Sequence, residues 1–262
     1  MRRRRATRCR RRPPRDEGRR GGRPARAVGT PARAVGTMVY QWQWRVIWDN
    51  WPLFAQGALM TLFLTACSIG IGLVAGLFLG LAKLSRRRWL RIPAAGFVEI
   101  FRDIPLLVLL LWIFYCLPIL TGVKLDIIES AILGMAVHAS AYLAEVYRAG
   151  IQSVDRGQME SARSLGMSFW QGMGRIVLPQ AVRRMIPPFL NVTADFMKAS
   201  SLASVVGVWE LLRQASNLIA NTWRPLEAYT AVAVTYLVLI VPVVWLTGVL
   251  EQRLSRRVAA RA

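Results

Sequence analysis

From Met38 onward the apolar residues run together instead of alternating with polar ones. Residues 57–82 (GALMTLFLTACSIGIGLVAGLFLGLA) contain no charged side chain. At about 1.5 Å of rise per residue, roughly 20 apolar residues cross a hydrocarbon layer of about 30 Å, so this stretch predicts a membrane-spanning helix. The same reasoning predicts spans at about 94–119, 127–147, 186–209 and 228–250. The expected fold is all-α and polytopic, with about five transmembrane helices. In the second span Glu99, Arg102 and Asp103 place one end at the headgroups, and only Ile104 onward is free of charge. Gly72, Gly76 and Gly80 recur every fourth residue and predict close approach of another helix.

The pattern changes between the third and fourth spans. Residues 150–188 form the longest internal stretch that cannot span, and their local chemistry spells two short helices. Asp155 with Gln158 reads as a capping box, and Gly166 is placed to end that helix in the left-handed conformation. Ser168 with Gln171 starts a second helix, which Pro179 is expected to limit. Trp170, Met173, Ile176 and Val177 fall at helical spacing and give it an apolar face. Periodicity alone leaves two readings open: an amphipathic linker on the headgroups, or a helix–turn–helix offered to a cytoplasmic partner.

Charge supplies an orientation. Lys83, Arg86, Arg87, Arg88 and Arg91 follow the first span, Arg148, Arg156, Arg163, Arg175, Arg183 and Arg184 lie between the third and fourth, and Arg253, Arg256, Arg257 and Arg261 follow the fifth. The opposite loops carry only Lys124, Arg213 and Arg224. An excess of Lys and Arg in cytoplasmic loops places the C-terminus in the cytoplasm. Trp42, Trp44, Trp48 and Trp51 precede the first span, where amphipathic rings suit the interface.

Composition changes this picture at one end. Residues 1–37 hold 14 arginines against Asp16 and Glu17, twelve of the 21 net positive charges. This leader has no apolar run, contains the tandem PARAVGT PARAVGT, and reads as disordered. Its charge raises the alternative of a membrane-anchored nucleic-acid binder. On the outer side of the membrane it contradicts the rule that orients every other loop, and the expectation is an overextended start with translation from Met38. The remaining segments are an interfacial stretch at 38–56, a membrane-spanning domain at 57–254 that contains the 150–188 loop, and a basic tail at 255–262.

Catalytic chemistry is hard to place. Cys9, Cys67 and Cys116 have no C-x-x-C spacing, and His138 is the only histidine and lies in an apolar stretch, so no metal site and no catalytic residue is expected. No G-x-x-x-x-G-K-[ST] occurs, so nucleotide phosphates are not cradled by that route.

Glu160, Ser161 and Ala162, then Gly166, then Ile176, Leu178 and Pro179 resemble the E-A-A-x3-G-x9-I-x-L-P signature of ABC-importer permeases, with Ser161 in place of an alanine. The resemblance runs from about Tyr40 to Leu254 and is nearest to the polar amino acid group of type I importers. FRDIPLLVLLLWIFYCLP (101–118) resembles that group's FRGTPLLVQL stretch at the start of the second helix, and AYLAEVYRAGIQSVDRGQMESARSLGMS (141–168) is similar to it almost throughout. In MKASSLASVVGVWEL (197–211) Ala199 stands where that group has aspartate, which argues against a basic substrate.

The resemblance implies a permease that moves a polar amino acid across the bacterial cytoplasmic membrane by alternating access. It implies a cytoplasmic ABC ATPase dimer using ATP and Mg, a second permease subunit (another copy or a paralogue) and an extracytoplasmic amino-acid-binding protein. Membrane lipid is the remaining partner, no nucleic acid is implied, and the chain itself is expected to hold no cofactor. Glu160, Ser161, Ala162, Gly166, Ile176, Leu178 and Pro179 become the ATPase-coupling element. A permease for another small polar solute, such as a compatible solute or an opine, is the alternative. Asp195 and Lys198, three apart and about 16 Å into the layer, share a helix face. Charges at that depth pair or face a polar path. Either they hold each other, or Lys198 attracts a substrate carboxylate with Ser200 and Ser201 as nearby donors. Glu145 is a further path candidate that can also pair with Arg148.

Overall fold

The computed structural model describes residues 40–259, so the leader and its expected start at Met38 lie outside the described residues. The body from Trp42 onward is helical. A short helix α1 (Arg45–Asp49) leads into α2 (Trp51–Leu84). Pro52 sits at the start of α2, where a missing N–H costs nothing. The first span thus begins six residues before the expected Gly57 and takes in the end of the expected interfacial segment.

The expected second span is two helices. In α3 (Arg88–Asp103) and α4 (Leu106–Leu111) the chain bends by 103°. Ile104, the residue before Pro105, is extended at φ −72° and ψ 127°, the conformation that a following proline favours over the helical one. A π turn (Trp112–Cys116) and α5 (Leu117–Thr121) finish this arm. Next come α6 (Ile127–Gln152), α7 (Arg156–Ser164) and α8 (Phe169–Gly172). A second π turn (Met173–Val177) joins α8 without a break to α9 (Leu178–Ala199). Pro179 therefore does not stop the helix. Each π turn ends two residues before a proline, and its widened hydrogen-bond step accommodates a residue without an N–H.

A 3₁₀ turn (Ser200–Ser204), α10 (Leu211–Thr222) and α11 (Pro225–Ala259) complete the fold. The expected fourth span, 186–209, is cut at Ala199. The last helix runs through the start of the expected basic tail.

Among the described residues three helices, α2, α6 and α11, are long and apolar enough to cross a membrane, or four spans if the bent pair counts as one. Five separate apolar spans are not found. Arg183, Arg184, Asp195 and Lys198 keep α9 from the apolar class. Yet α2, α6 and α11 run parallel. A Cβ on Gly72 would stand 2.8 Å from that of Ala139, one on Gly76 2.9 Å from that of Leu143, and one on Gly80 2.9 Å from that of Tyr147. The pairs advance together along both helices, and the expected glycine ladder is what lets the two backbones close up. Phe54 packs near Val232, and Thr61 lies beside Tyr236, so α11 follows α2 in the same sense. Parallel spans require the chain to return between them. The bent pair makes the first return, and α9, antiparallel to α6 through Tyr147 on Phe189 and His138 near Phe196, makes the second. Leu64, Leu110, Met135, Leu143, Phe196 and Val208 form the main core between these elements.

Candidate functional site: a helical turn below the spans and a cavity between them

The segment expected to meet an ATPase is built by local rules. Asp155 caps α7, its Oδ1 accepting from the Gly157 N–H at 2.6 Å. Gln158 does not close the expected capping box, and its side chain instead lies 3.4 Å from the Gln180 amide on α9. Gly166, at φ +78°, ends the helix as expected. The Met167 N–H donates to Ala162 O (3.1 Å) and the Gly166 N–H to Arg163 O (2.9 Å), the paired closure of a Schellman turn. The expected box at Ser168 and Gln171 is present in both directions, at 3.3 and 3.0 Å.

The signature residues divide between two faces. Ala162 is wholly buried, and a Cβ on Gly172 would come within 3.2 Å of its methyl group, so α7 and α8 cross where both side chains are smallest. Glu160, Ser161, Gly166, Leu178 and Pro179 are exposed, and Ile176 is half-buried. Of the expected apolar face, Val177 is buried with Met173 against Met159 and Met185, whereas Trp170 is 80% exposed beside Phe169 and Leu165. One side of the turn thus anchors to the body, and the other offers a carboxylate rimmed by large apolar side chains. Arg184 on α9 donates to Ser153 O and ties this segment to the end of α6.

Just above it, Glu145 is held twice. Lys83 from the end of α2 pairs with Oε1, and Arg148 donates to Oε2 through Nη2 (2.7 Å) and Nε (2.9 Å). The sequence pointed to Arg148 but not to Lys83, because the latter contact exists only through the parallel packing of α2 on α6.

A cavity of about 180 Å³ lies between α6 and α9, lined by Leu106, His138, Tyr142, Val192, Asp195, Phe196 and Ala199. His138, Tyr142 and Phe196 form an aromatic wall with ring centres 5.1 to 6.3 Å apart, and the Arg102 guanidinium stands 5.4 Å from the Tyr142 ring centre. His138 is 8% exposed, and its Nδ1 has no hydrogen-bond partner. The cavity therefore combines aromatic surface, a carboxylate and an uncommitted imidazole nitrogen.

Asp195 and Lys198 do pair, at 2.9 Å, on one face of α9. Their side chains are 72% and 57% exposed on this chain, so the pair faces outward from the bundle instead of lying sealed within it. The two serines differ from the expected free donors. Ser200 Oγ is buried and donates to Met197 O, and Ser201 Oγ donates to Lys198 O, each at 2.8 Å. Each hydroxyl closes on its own helix, which leaves acceptor lone pairs. Tyr142, Val192 and Phe196 were not picked out by sequence, since an apolar or aromatic residue in a span carries no sign of which wall it forms.

Comparison with known proteins agrees with this architecture. The probable amino-acid ABC transporter permease protein YckA of Bacillus subtilis (strain 168) is 36% identical over 205 residues, covering 76% of this chain and 90% of its own. The glutamine transport system permease protein GlnP of Escherichia coli (strain K12) is 34% identical over 216 residues, covering 82% of this chain and 99% of its own. A crystal structure of an amino acid ABC transporter with histidines superposes with a TM-score of 0.77 at 35% identity, over 82% of this chain and all of that one. The family described as "binding-protein-dependent transport system inner membrane component" matches residues 72–256, the greater part of the chain, and the protein belongs to that family of membrane-spanning permease subunits.

Proposed function

We propose that this subunit carries a polar amino acid across the bacterial cytoplasmic membrane, along a path that includes the cavity between α6 and α9. The observation that carries the reading is the α7–Gly166–α8 turn. It has the importer signature in sequence, and its fold buries Ala162 while exposing Glu160, Ser161 and Leu165. A partner ATPase groove would meet that exposed face. ATP with Mg binds on the ATPase dimer, whose closure pushes α7 and α8. The push passes through Arg184 and the continuous helix α8–α9 to the wall that holds Asp195 and Lys198. Packed helices with two stable arrangements can turn such a push into alternating access. A second permease subunit would face the exposed Asp195–Lys198 pair, and an extracytoplasmic amino-acid-binding protein would deliver the substrate. The relatives that transport amino acids or glutamine support the substrate class.

The test is uptake. The full chain, with its cognate ATPase and binding protein in proteoliposomes, should accumulate radiolabelled L-glutamine, L-asparagine or L-histidine only with internal ATP. Glu160→Arg should abolish accumulation while leaving chain assembly unchanged. Uptake of none of the three, with a compatible solute or opine taken up instead, would overturn the amino acid assignment.

A further inference from the structure

A carboxylate with no cation partner ties the turn after α9 to the last helix. Glu210 is wholly buried. It caps α10, its Oε2 accepting from the Leu212 N–H and its Oε1 from the Arg213 N–H, each at 2.9 Å. A third donor comes from another element: the Tyr236 hydroxyl on α11 donates to Oε2 at 3.0 Å. Among the described residues no ion pair reaches this group, and the Arg213 guanidinium instead stands 5.7 Å from the Trp209 ring centre. Thr61 on α2 and Ser200 in the 3₁₀ turn lie fully buried beside the Tyr236 hydroxyl, Thr61 Oγ1 without a hydrogen-bond partner and Ser200 Oγ closed on Met197 O. The carboxylate thus joins α10 directly to α11, with side chains of α2 and of the turn after α9 buried beside the bond.

A cap needs only the two N–H donors, and an exposed aspartate or serine provides one at no burial cost. Burying a glutamate for that purpose alone is expensive unless every lone pair is used. The tie to Tyr236 is the part a cap does not explain. It matters because only 11% of the membrane-crossing window of α11 is buried in this chain, so shape complementarity alone holds that helix weakly. The turn it secures begins directly after Lys198 and Ala199, at the cavity wall.

We propose that Glu210 is a positioning residue of the transport path: through Tyr236 it fixes the turn carrying Ser200 and Ser201, and hence Lys198, against α11 and α2. The proposal rests on the transport reading above. It requires the Glu210–Tyr236 bond to act on substrate affinity, not only on folding.

The experiment compares Glu210→Gln, Tyr236→Phe and the double variant with the unaltered chain, in complete transporter reconstituted in proteoliposomes, with the same three radiolabelled amino acids as probes. Tyr236→Phe keeps the ring volume and removes one donor, so it assembles even if the glutamate variant does not. Loss of a hydrogen bond to a charged group corresponds to about tenfold or more in an equilibrium constant. Each single variant should therefore raise the KM of uptake about tenfold with kcat within a factor of two, and the double variant should be no worse than either single one. If Tyr236→Phe lowers the unfolding temperature but leaves KM unchanged, the bond is a structural staple and the proposal fails. Unaltered transporter that takes up none of the probes refutes the transport reading instead, which separates the two failures.

Discussion

At the scale of single residues, two positions show how tightly local chemistry constrains the chain. Gly166 has φ +78° with open space around its Cα, so the obstacle to a side chain there is conformational, not steric. An L-residue in that conformation costs about 1 kcal/mol or more, and asparagine tolerates it better than alanine. Gly166→Ala should therefore open the α7–α8 turn, and trypsin cleavage at Arg163 of the purified chain should quicken about fivefold, in line with that energy. Gly166→Asn should lie between the two; equal cleavage rates would show that the turn does not depend on this backbone state. The second position is Glu145. Lys83 is only 11% exposed, and a buried cation left unpaired costs about 3–5 kcal/mol. Glu145→Leu should lower the unfolding temperature markedly, and adding Lys83→Met should restore much of the loss. A double variant less stable than Glu145→Leu alone would mean the pair is not the source of the effect.

At the scale of elements, close approach decides which helices act as one body. On the face that meets α6, Gly76 has Ser140 O and the Leu143 Cβ each 2.9 Å from where its own Cβ would be, whereas Gly70 on the outer side of α2 has nothing within 4 Å. Overpacking of such a contact costs about 1–3 kcal/mol, while alanine at an open helical position gains helix propensity over glycine. Thermal unfolding in detergent should show Gly76→Ala less stable than the unaltered chain and Gly70→Ala at least as stable. The reverse order would contradict the parallel α2–α6 seam. The glycine ladder was legible in the sequence because its period of four is a local pattern, and the Ser168–Gln171 box and the Gly166 stop were legible for the same reason. The bend at Ile104 was obscured because the strongly apolar run after Pro105 and the apolar residues interspersed among Glu99, Arg102 and Asp103 before it read as one span when hydropathy is averaged. Pro179 misled in the opposite direction, since the π turn that carries the helix past it leaves no mark in composition. Glu210 and Tyr236 are 26 residues apart and meet only through the packing of α10 and α11, so no spacing rule could have joined them.

At the scale of the whole molecule, the parallel run of α2, α6 and α11 fixes which charges share a side. Their C-terminal ends lie on one face of the layer, which brings together Arg86, Arg87, Arg88 and Arg91 after α2 with Arg156, Arg163, Arg175, Arg183 and Arg184 after α6. Those nine arginines belong to two segments that are distant in sequence, one from the end of α2 into α3 and one from α7 into the start of α9, while Lys124 lies in the loop that precedes α6. The rule that cytoplasmic loops carry the excess of positive charge then predicts one orientation for the whole molecule, with the α7–α8 turn expected to face the cytoplasm, where ATP is available to a partner. Single cysteines test this directly once Cys9, Cys67 and Cys116 have been replaced by alanine or serine. Leu165 is 80% exposed at the turn and Val123 is 54% exposed before α6, so both positions can react. In intact spheroplasts a membrane-impermeant maleimide should label Val123→Cys and leave Leu165→Cys untouched until the membrane is permeabilised. Labelling of Leu165→Cys from outside would invert the topology and remove the exposed Glu160 face from any cytoplasmic ATPase.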